Sequence, residues 1–317
     1  MAITQTQILA AANLANIAYL DEDEPANQKT DIANALNALA GDANGPWTLT
    51  WGPANNDGVL AFVARGADGT YALAFRGSLS DDDAEGFFNN WLDDVSGLIL
   101  VPWLYPQSAG ANISSGMNAA LALVIGLTDP VTDLSLLDYL RGVAGRSGGA
   151  IELAVTGHSL GGALTPLAAA WLADQLPNVP VVEATIAPFT FAAPTVGDAK
   201  FSALFNGLFS ARAYGCVNTQ DVVPMAWTDV QGIIDSFGPN GETLSDYSYA
   251  LWIAAEGVKI AVAHDYAALT YAIVDAFAGP AIAAGNDWPT EAKIQHSMAN
   301  VYLPHVTTRT ASSASPT

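Results

Sequence analysis

One short turn constrains this chain more than any other feature. ELAVTG (152–157) has the branched apolar residues of a strand, GHSLGG (157–162) follows at once, and ALTPLAAAWLADQL (163–176) continues with helical periodicity. A strand that turns directly into a helix through G-x-S-x-G carries its serine at the tip of a sharp bend, with small residues two before and two after to avoid clashes. That residue is Ser159. A serine hydroxyl is a poor nucleophile until a neighbouring base removes its proton. The helix beyond it aims its N-terminus at the site, where the N–H of the residue after the serine can meet a developing oxyanion.

The pattern occurs twice. Gly145, Ser147 and Gly149 in GRSGG also match, but they precede a strand and open no helix, so they read as a flexible loop. Around the second match, strands and helices alternate. WTLTW (47–51), VLAFVA (59–64) and TYALAFRG (70–77) are β-rich runs separated by the turn signals NNDG and ADG. An apolar helical pattern spans 117–127, and further strands are expected at 189–192 and 211–217. This order predicts an α/β fold with a mostly parallel central sheet flanked by helices. Residues 248–279 read as one or two Ala-rich helices within an insertion at about 230–285, and TTRTASSASPT (307–317) reads as a frayed tail. No linker divides residues 1–317, so a single domain is expected.

Half of the chain is apolar, at 51%, enough for a sizeable core. Ten basic residues against 31 acidic ones give a net charge of −21. A nucleic-acid backbone is repelled by such a balance, because binding it relies on Lys and Arg releasing counterions. Anionic membrane surfaces are disfavoured for the same reason. The one cysteine, Cys216, excludes an internal disulfide. The N-terminal residues have no basic region and show helical spacing, which predicts an amphipathic helix rather than a signal peptide. Residues 95–128 and 153–173 lack Asp, Glu, Lys and Arg, yet Gly, Pro, Ser or Asn break them before the roughly 18 apolar residues that a membrane span requires. A soluble protein is expected, cytoplasmic or secreted by a signal-independent route. No cofactor is called for. The acidic run 81–83 has no recognisable calcium loop and reads as a solvated surface, so no metal is expected.

A base and an acid must accompany the serine. Of the four histidines, His158 adjoins Ser159 and its side chain must diverge from it, which suits a structural role. His264 falls in the Ala-rich stretch and His305 near the tail. His296, in KIQHSMANVYL after a Trp-Pro turn, is preferred over His264 as the base. Chain order in serine hydrolases of α/β type runs Ser, acid, His. Asp221 in CVNTQDVVP follows a strand and suits the orienting acid, although an Asp there also suits a plain turn.

Four ordered blocks resemble the class 3 lipases, which include the fungal triacylglycerol lipases. FRGS (75–78) looks like that family's oxyanion loop. NWLDD (90–94) followed by VPWLYP looks like its lid and the trailing segment. GHSLGGAL is its elbow, and FAAPTVGDAKF with VNTQDVVP resembles the run up to its acid. The resemblance implies the α/β-hydrolase fold, a Ser159–His296–Asp221 triad, and oxyanion donors at Ser78 and Leu160. It also implies a lid over about 81–105 that includes Asn90, Trp91 and Asp94. Three features depart from the family pattern: Pro166 within the elbow helix, Met117 after Gly116 where Phe is usual, and a long spacing between Asp221 and His296.

Together these features predict a carboxylic ester hydrolase acting on acylglycerols or on short-to-medium acyl esters, which meets a lipid–water interface transiently through its lid. The same fold would serve a phospholipase or a feruloyl-type esterase. A catalytically silent lipase-like binding scaffold is the alternative outside the enzymes.

Overall fold

The computed structural model describes residues 3–20, 25–39, 41–78, 99–105, 110–178, 183–237, 244–248, 250–253, 255, 264–283 and 285–313. The NNDG signal becomes a two-residue hairpin between β1 (Thr48–Asn56) and β2 (Val59–Arg65). Asp57 and Gly58 both have positive φ, 48° and 83°, the conformation that matches strand twist in such a turn. β3 (Tyr71–Phe75) pairs antiparallel with β2. β6 (Ala150–His158), β7 (Glu183–Phe191), β8 (Tyr214–Asn218) and β9 (Ile273–Phe277) then continue the sheet in parallel, in the order β1-β2-β3-β6-β7-β8-β9. β4 (Leu100–Pro102) and β5 (Asn112–Ser114) form a separate antiparallel pair.

Strand alternation divides the core between two faces. Leu60, Phe62 and Ala64 of β2 pack with α1 (Gln5–Ile17) and α2 (Pro25–Ala38), through Leu14, Ile17, Ile32 and Leu36. Ala61 and Val63 point the other way, into the cluster formed with α3 (Ser115–Ile125), α4 (Leu136–Arg146), α5 (Leu160–Gln175) and α6 (Ala199–Phe209). α1 is begun by a reciprocal Thr4–Gln7 capping box and is buried along most of its length, because it lies between the sheet and α9 (Leu303–Ser313). The register sets Phe75 beside Gly157 and Asn218 beside Phe277. The loops after β3, β6 and β8 therefore emerge on one edge of the sheet, at the carboxyl ends of its parallel strands, where α/β proteins build their sites.

Two expectations are corrected. Residues 273–277 are not part of an Ala-rich helix but the parallel strand β9. The remainder of the expected helical insertion contains α7 (Val230–Ile234) and helical residues at 250–253, whereas 264–272 are irregular. Helix propensity is overridden here by β-ladder bonds and by Asp275, which accepts a hydrogen bond from the Tyr214 hydroxyl at 2.6 Å and pairs with Arg309. Burial alone would raise the Asp275 carboxyl. The Tyr214 and His305 hydrogen bonds and the charges of His305 and Arg309 instead hold it below the usual carboxylate range.

Of the expected frayed tail, 314–317 lie outside the described residues, and 307–313 are the second correction, for α9 extends through Ser313. Arg309 anchors it to β9, Val306 enters the core, and Thr307, Thr308 and Thr310 donate to the carbonyls four residues back rather than competing with the helix. Cys216, Asp275 and His305 bring potential ligand atoms within 4.8 Å of one another. The guanidinium of Arg309 already occupies that carboxylate, so the cluster is built as an anchor for α9.

Candidate active site

Ser159 sits between β6 and α5 with φ 59° and ψ −127°, a conformation that non-glycine residues rarely adopt and that the surrounding turn must enforce. Its N–H donates to the Phe191 carbonyl at 3.0 Å, and its own carbonyl accepts from Ala163 at 2.9 Å. A side chain at Gly157 would overlap the main chain of Gly161, and a Cβ at Gly161 would lie 2.6 Å from the Phe75 carbonyl oxygen. The two glycines are therefore required for strand, helix and the neighbouring β3 to come this close. α5 continues through Pro166 without interruption, starting from Leu160, whose N–H lies in its first turn. Ser147 of the competing GRSGG match ends α4, and Gly148 and Gly149 take positive φ before β6 begins.

His296 Nε2 lies 2.8 Å from Ser159 Oγ, and His296 Nδ1 lies 2.7 Å from Asp221 Oδ2. All three residues are buried, Asp221 completely so, at 0% exposure. Asp221 follows β8 on a turn in which its N–H donates to the Asn218 carbonyl. Its second oxygen, Oδ1, accepts from Val223 N at 3.0 Å, and Oδ2 also accepts from the Tyr302 hydroxyl at 2.7 Å. Tyr302 in turn accepts from Asn218 N at 3.0 Å. Burial, and then the Asp221 charge, push the Tyr302 phenol well above its ordinary range, so it remains a neutral donor.

Asn218 connects the acid to the base. Its Oδ1 accepts from Gln220 N and Gly279 N, at 3.0 and 2.8 Å. Its Nδ2 donates to the carbonyl and to Oε1 of Gln295, both at 2.9 Å. Gln295 ends α8 (Trp288–Gln295), and His296 is the next residue. One buried amide thus ties together the turn bearing Asp221, the loop after β9 and the helix that delivers His296. Neither Asn218 nor Tyr302 is one of the triad or oxyanion residues of the sequence motifs. Asn218 two residues before Gln220 in NTQD has the form of a side-chain turn, whereas Tyr302 gave no local signal.

His158 is directed away from the serine hydroxyl. Its Nε2 lies 2.8 Å from the His296 carbonyl oxygen and its Nδ1 lies 2.8 Å from the Tyr19 hydroxyl. Burial first, and the nearby imidazole of His296 second, hold its pKa well below the usual histidine value, so the ring is neutral. A carbonyl only accepts. The His158 proton is therefore on Nε2, and Nδ1 accepts from Tyr19. His264 packs edge-on to Tyr266, with ring centroids 6.5 Å apart, and His305 stacks on Phe277 at 3.8 Å; neither joins the Ser159–His296–Asp221 chain.

The FRGS loop lies against the elbow. A Cβ at Gly77 would be 2.7 Å from the His158 carbonyl oxygen and 3.0 Å from Ser159 Cβ. Ser78 follows directly and lines two cavities that meet at Ser159. One, of about 290 Å³, is walled mainly by α3, with Met117, Ala120 and Leu123, and by Val59 and Trp227. The other, of about 210 Å³, is lined by Asn16, Tyr19, Lys293, His296 and Ser297. Asn90, Trp91 and Asp94, expected in the lid, lie outside the described residues. Ile99 and Leu104, at 58% and 78% exposure, are large apolar side chains within the stretch 81–105.

A Ser–His–Asp chain at the carboxyl edge of a mostly parallel sheet defines a serine hydrolase of the α/β-hydrolase fold. The chain belongs to the class 3 lipase family, whose model, Lipase (class 3), matches residues 72–230. That match contains Ser78, Ser159 and Asp221 and ends before His296. The crystal structure of M37 lipase has the same fold, with a TM-score of 0.76 at 21% identity over 96% of this chain and 95% of that one. Phospholipase A1-IIgamma of Arabidopsis thaliana is 34% identical over 79 residues, which is 24% of this chain and 19% of that protein. This chain thus spans about a fifth of that relative's length. No helix among the described residues is long and apolar enough to cross a membrane.

Proposed function

We propose that this protein is a carboxylic ester hydrolase that cleaves neutral acylglycerols or short-to-medium acyl esters through an acyl-enzyme on Ser159. The observation that carries this reading is the hydrogen-bonded chain from Ser159 Oγ through His296 to Asp221, at 2.8 and 2.7 Å. His296 Nε2 takes the hydroxyl proton as Ser159 Oγ attacks the ester carbonyl. The Leu160 N–H and Ser78 hold the resulting oxyanion, each donor contributing on the order of 10²–10³ in rate. As the intermediate collapses, the imidazolium returns the proton to the departing alcohol, and Asp221 stabilises that cation throughout. Water, deprotonated by His296, then attacks the acyl-enzyme and releases the acid. No step uses a metal or an organic cofactor.

The net charge of −21 favours neutral lipids over anionic surfaces. The stretch 81–105, with its exposed Ile99 and Leu104, meets the lipid–water interface transiently. An intact acid–base–nucleophile chain argues against a silent scaffold, since binding alone needs none of it. Nitrophenyl esters of increasing chain length test the reading. Wild type is expected to turn them over, and Ser159→Ala to fall to the rate of buffer; equal rates for the two folded proteins would sink it.

A further inference from the structure

We propose that a cavity beneath α1, toward the end of the sheet opposite Ser159, is a second binding site, which takes a short aliphatic carboxylate and holds its charged end on Arg212. The choice of occupant rests on the hydrolase reading above, because cleavage of a short acyl ester releases such an acid in every turnover.

Side-chain size creates the space. Ala10 and Ala11 of α1 line it together with Ala72 of β3, Ala154 of β6 and Ala187 of β7, and their short side chains leave helix and sheet apart over about 80 Å³. An engineered apolar cavity of about 150 Å³ takes up benzene, so roughly half that volume suits a chain of a few carbons. Glu152, which also lines the cavity, precedes Ser159 by seven residues of extended strand, roughly 20 Å at about 3.3 Å per residue. None of the residues lining this cavity lines either of the two that meet at Ser159.

The mouth carries one half-buried cation. Arg212 lines the cavity, and its guanidinium donates to the Leu208 carbonyl at 3.3 Å. Among the described residues it meets no carboxylate within ion-pair distance. Glu152 is exposed, so its charge is largely solvated and screened. The planar guanidinium matches a carboxylate with paired N–H donors, and the apolar walls match the chain behind it. The net charge of −21 disfavours extended anionic surfaces. A single carboxylate in contact with Arg212 answers mainly to that neighbour, since charges beyond about 8 Å are largely screened at physiological salt.

The test titrates the protein with acetate and with butyrate at neutral pH and constant ionic strength. The Kd is read from the amide chemical shifts of Ala154 and Ala187, which report this cavity and not the catalytic one. Butyrate is expected to bind more tightly than acetate, because its chain enters the apolar space. Arg212→Gln is expected to weaken butyrate by about tenfold while leaving turnover of nitrophenyl butyrate unchanged. Arg212→Lys, which keeps the charge and loses the paired geometry, should fall between the two. Ala187→Leu fills the cavity and should abolish the gain of butyrate over acetate. Where that variant does not fold, Arg212→Gln decides alone, because its side chain is only half-buried. Amides that do not shift, equal affinities for acetate and butyrate, or a butyrate Kd unchanged in Arg212→Gln would overturn the proposal. Turnover of nitrophenyl butyrate no faster than by Ser159→Ala overturns the hydrolase reading instead, so the two failures are distinguishable.

Discussion

The Nε2–H of His158 donates to the main-chain carbonyl of His296 across 2.8 Å, so the residue beside the nucleophile holds the backbone of the base. The serine and its partner imidazole are 137 positions apart in sequence, and the side chain of the residue before the serine bonds directly to the main chain that carries the imidazole.

Removing that bond should misplace the base without emptying the substrate cavities. His158→Ala is expected to lower kcat by about 10- to 100-fold with little change in KM, as small displacements of a catalytic group do. His158→Gln, whose amide nitrogen reaches nearly the same point, should recover most of the loss. Equal kcat values for the alanine and glutamine variants would show that the bond does not position His296.

The same residue should make stability depend on pH. The folded pKa of His158 lies well below its unfolded value of about 6.5. Below that pH the unfolded chain binds a proton that the folded protein refuses. This stabilisation is therefore complete above about pH 6.5 and is lost as pH falls, by at most about 1.4 kcal/mol per pH unit. The depressed carboxyls of Asp68, Asp129 and Asp275 act in a separate window, beginning near their ordinary value of 3.8. Urea unfolding of wild type and His158→Gln between about pH 5 and 7 checks the claim. The wild type should weaken more on acidification, and parallel curves would refute it.

Tyr302 offers a test of the acid. Tyr302→Phe removes a 2.7 Å donor to Asp221 and leaves the buried Asn218 N–H without its acceptor. The expected cost is about 1–3 kcal/mol of stability, with a modest fall in kcat. Asp221→Asn should lower kcat much further, by on the order of 10⁴, because the imidazole would lose the carboxylate that fixes its tautomer. Thermal unfolding and steady-state rates on one soluble ester distinguish the two effects.

At Gly77 space is the limit. The Cβ of Gly77→Ala would press on the His158 carbonyl and on Ser159 and displace the loop that carries Ser78. A rate loss on the order of 10²–10³ is expected, the size of losing an oxyanion donor. A fully active alanine variant would show that the loop does not need this close approach.

What the sequence made legible followed from local chemistry. The elbow could be read because G-x-S-x-G between a strand and a helix is a single continuous pattern. Asp221 and His296 lie 75 residues apart, so their pairing rested on chain order and family resemblance, and the structure brings them together. β9 escaped notice because Ala-rich flanks masked the alternation of Ile273, Asp275 and Phe277. Tyr302, Asn218 and the Tyr19–His158 bridge act through contacts that exist only once the sheet has formed, and no short motif encodes them. The low-complexity composition of 307–317 suggests fraying, because Asp275, the carboxylate that Arg309 of this segment meets, is remote from it in sequence.

Asn218 has a mechanical consequence. Its amide fastens the Asp221 turn, the loop after β9 and the end of α8 into one block, whereas Ser159 and His158 ride on another. Acid and base share a single frame of reference, and the nucleophile is registered against it across a seam spanned by His158. A breathing motion of the sheet edge would part the serine from the imidazole first and leave the imidazole–carboxylate pair intact. Recovery from such a motion then needs only the contacts across that seam remade, His296 to Ser159 and His158 to His296, not a constellation reassembled.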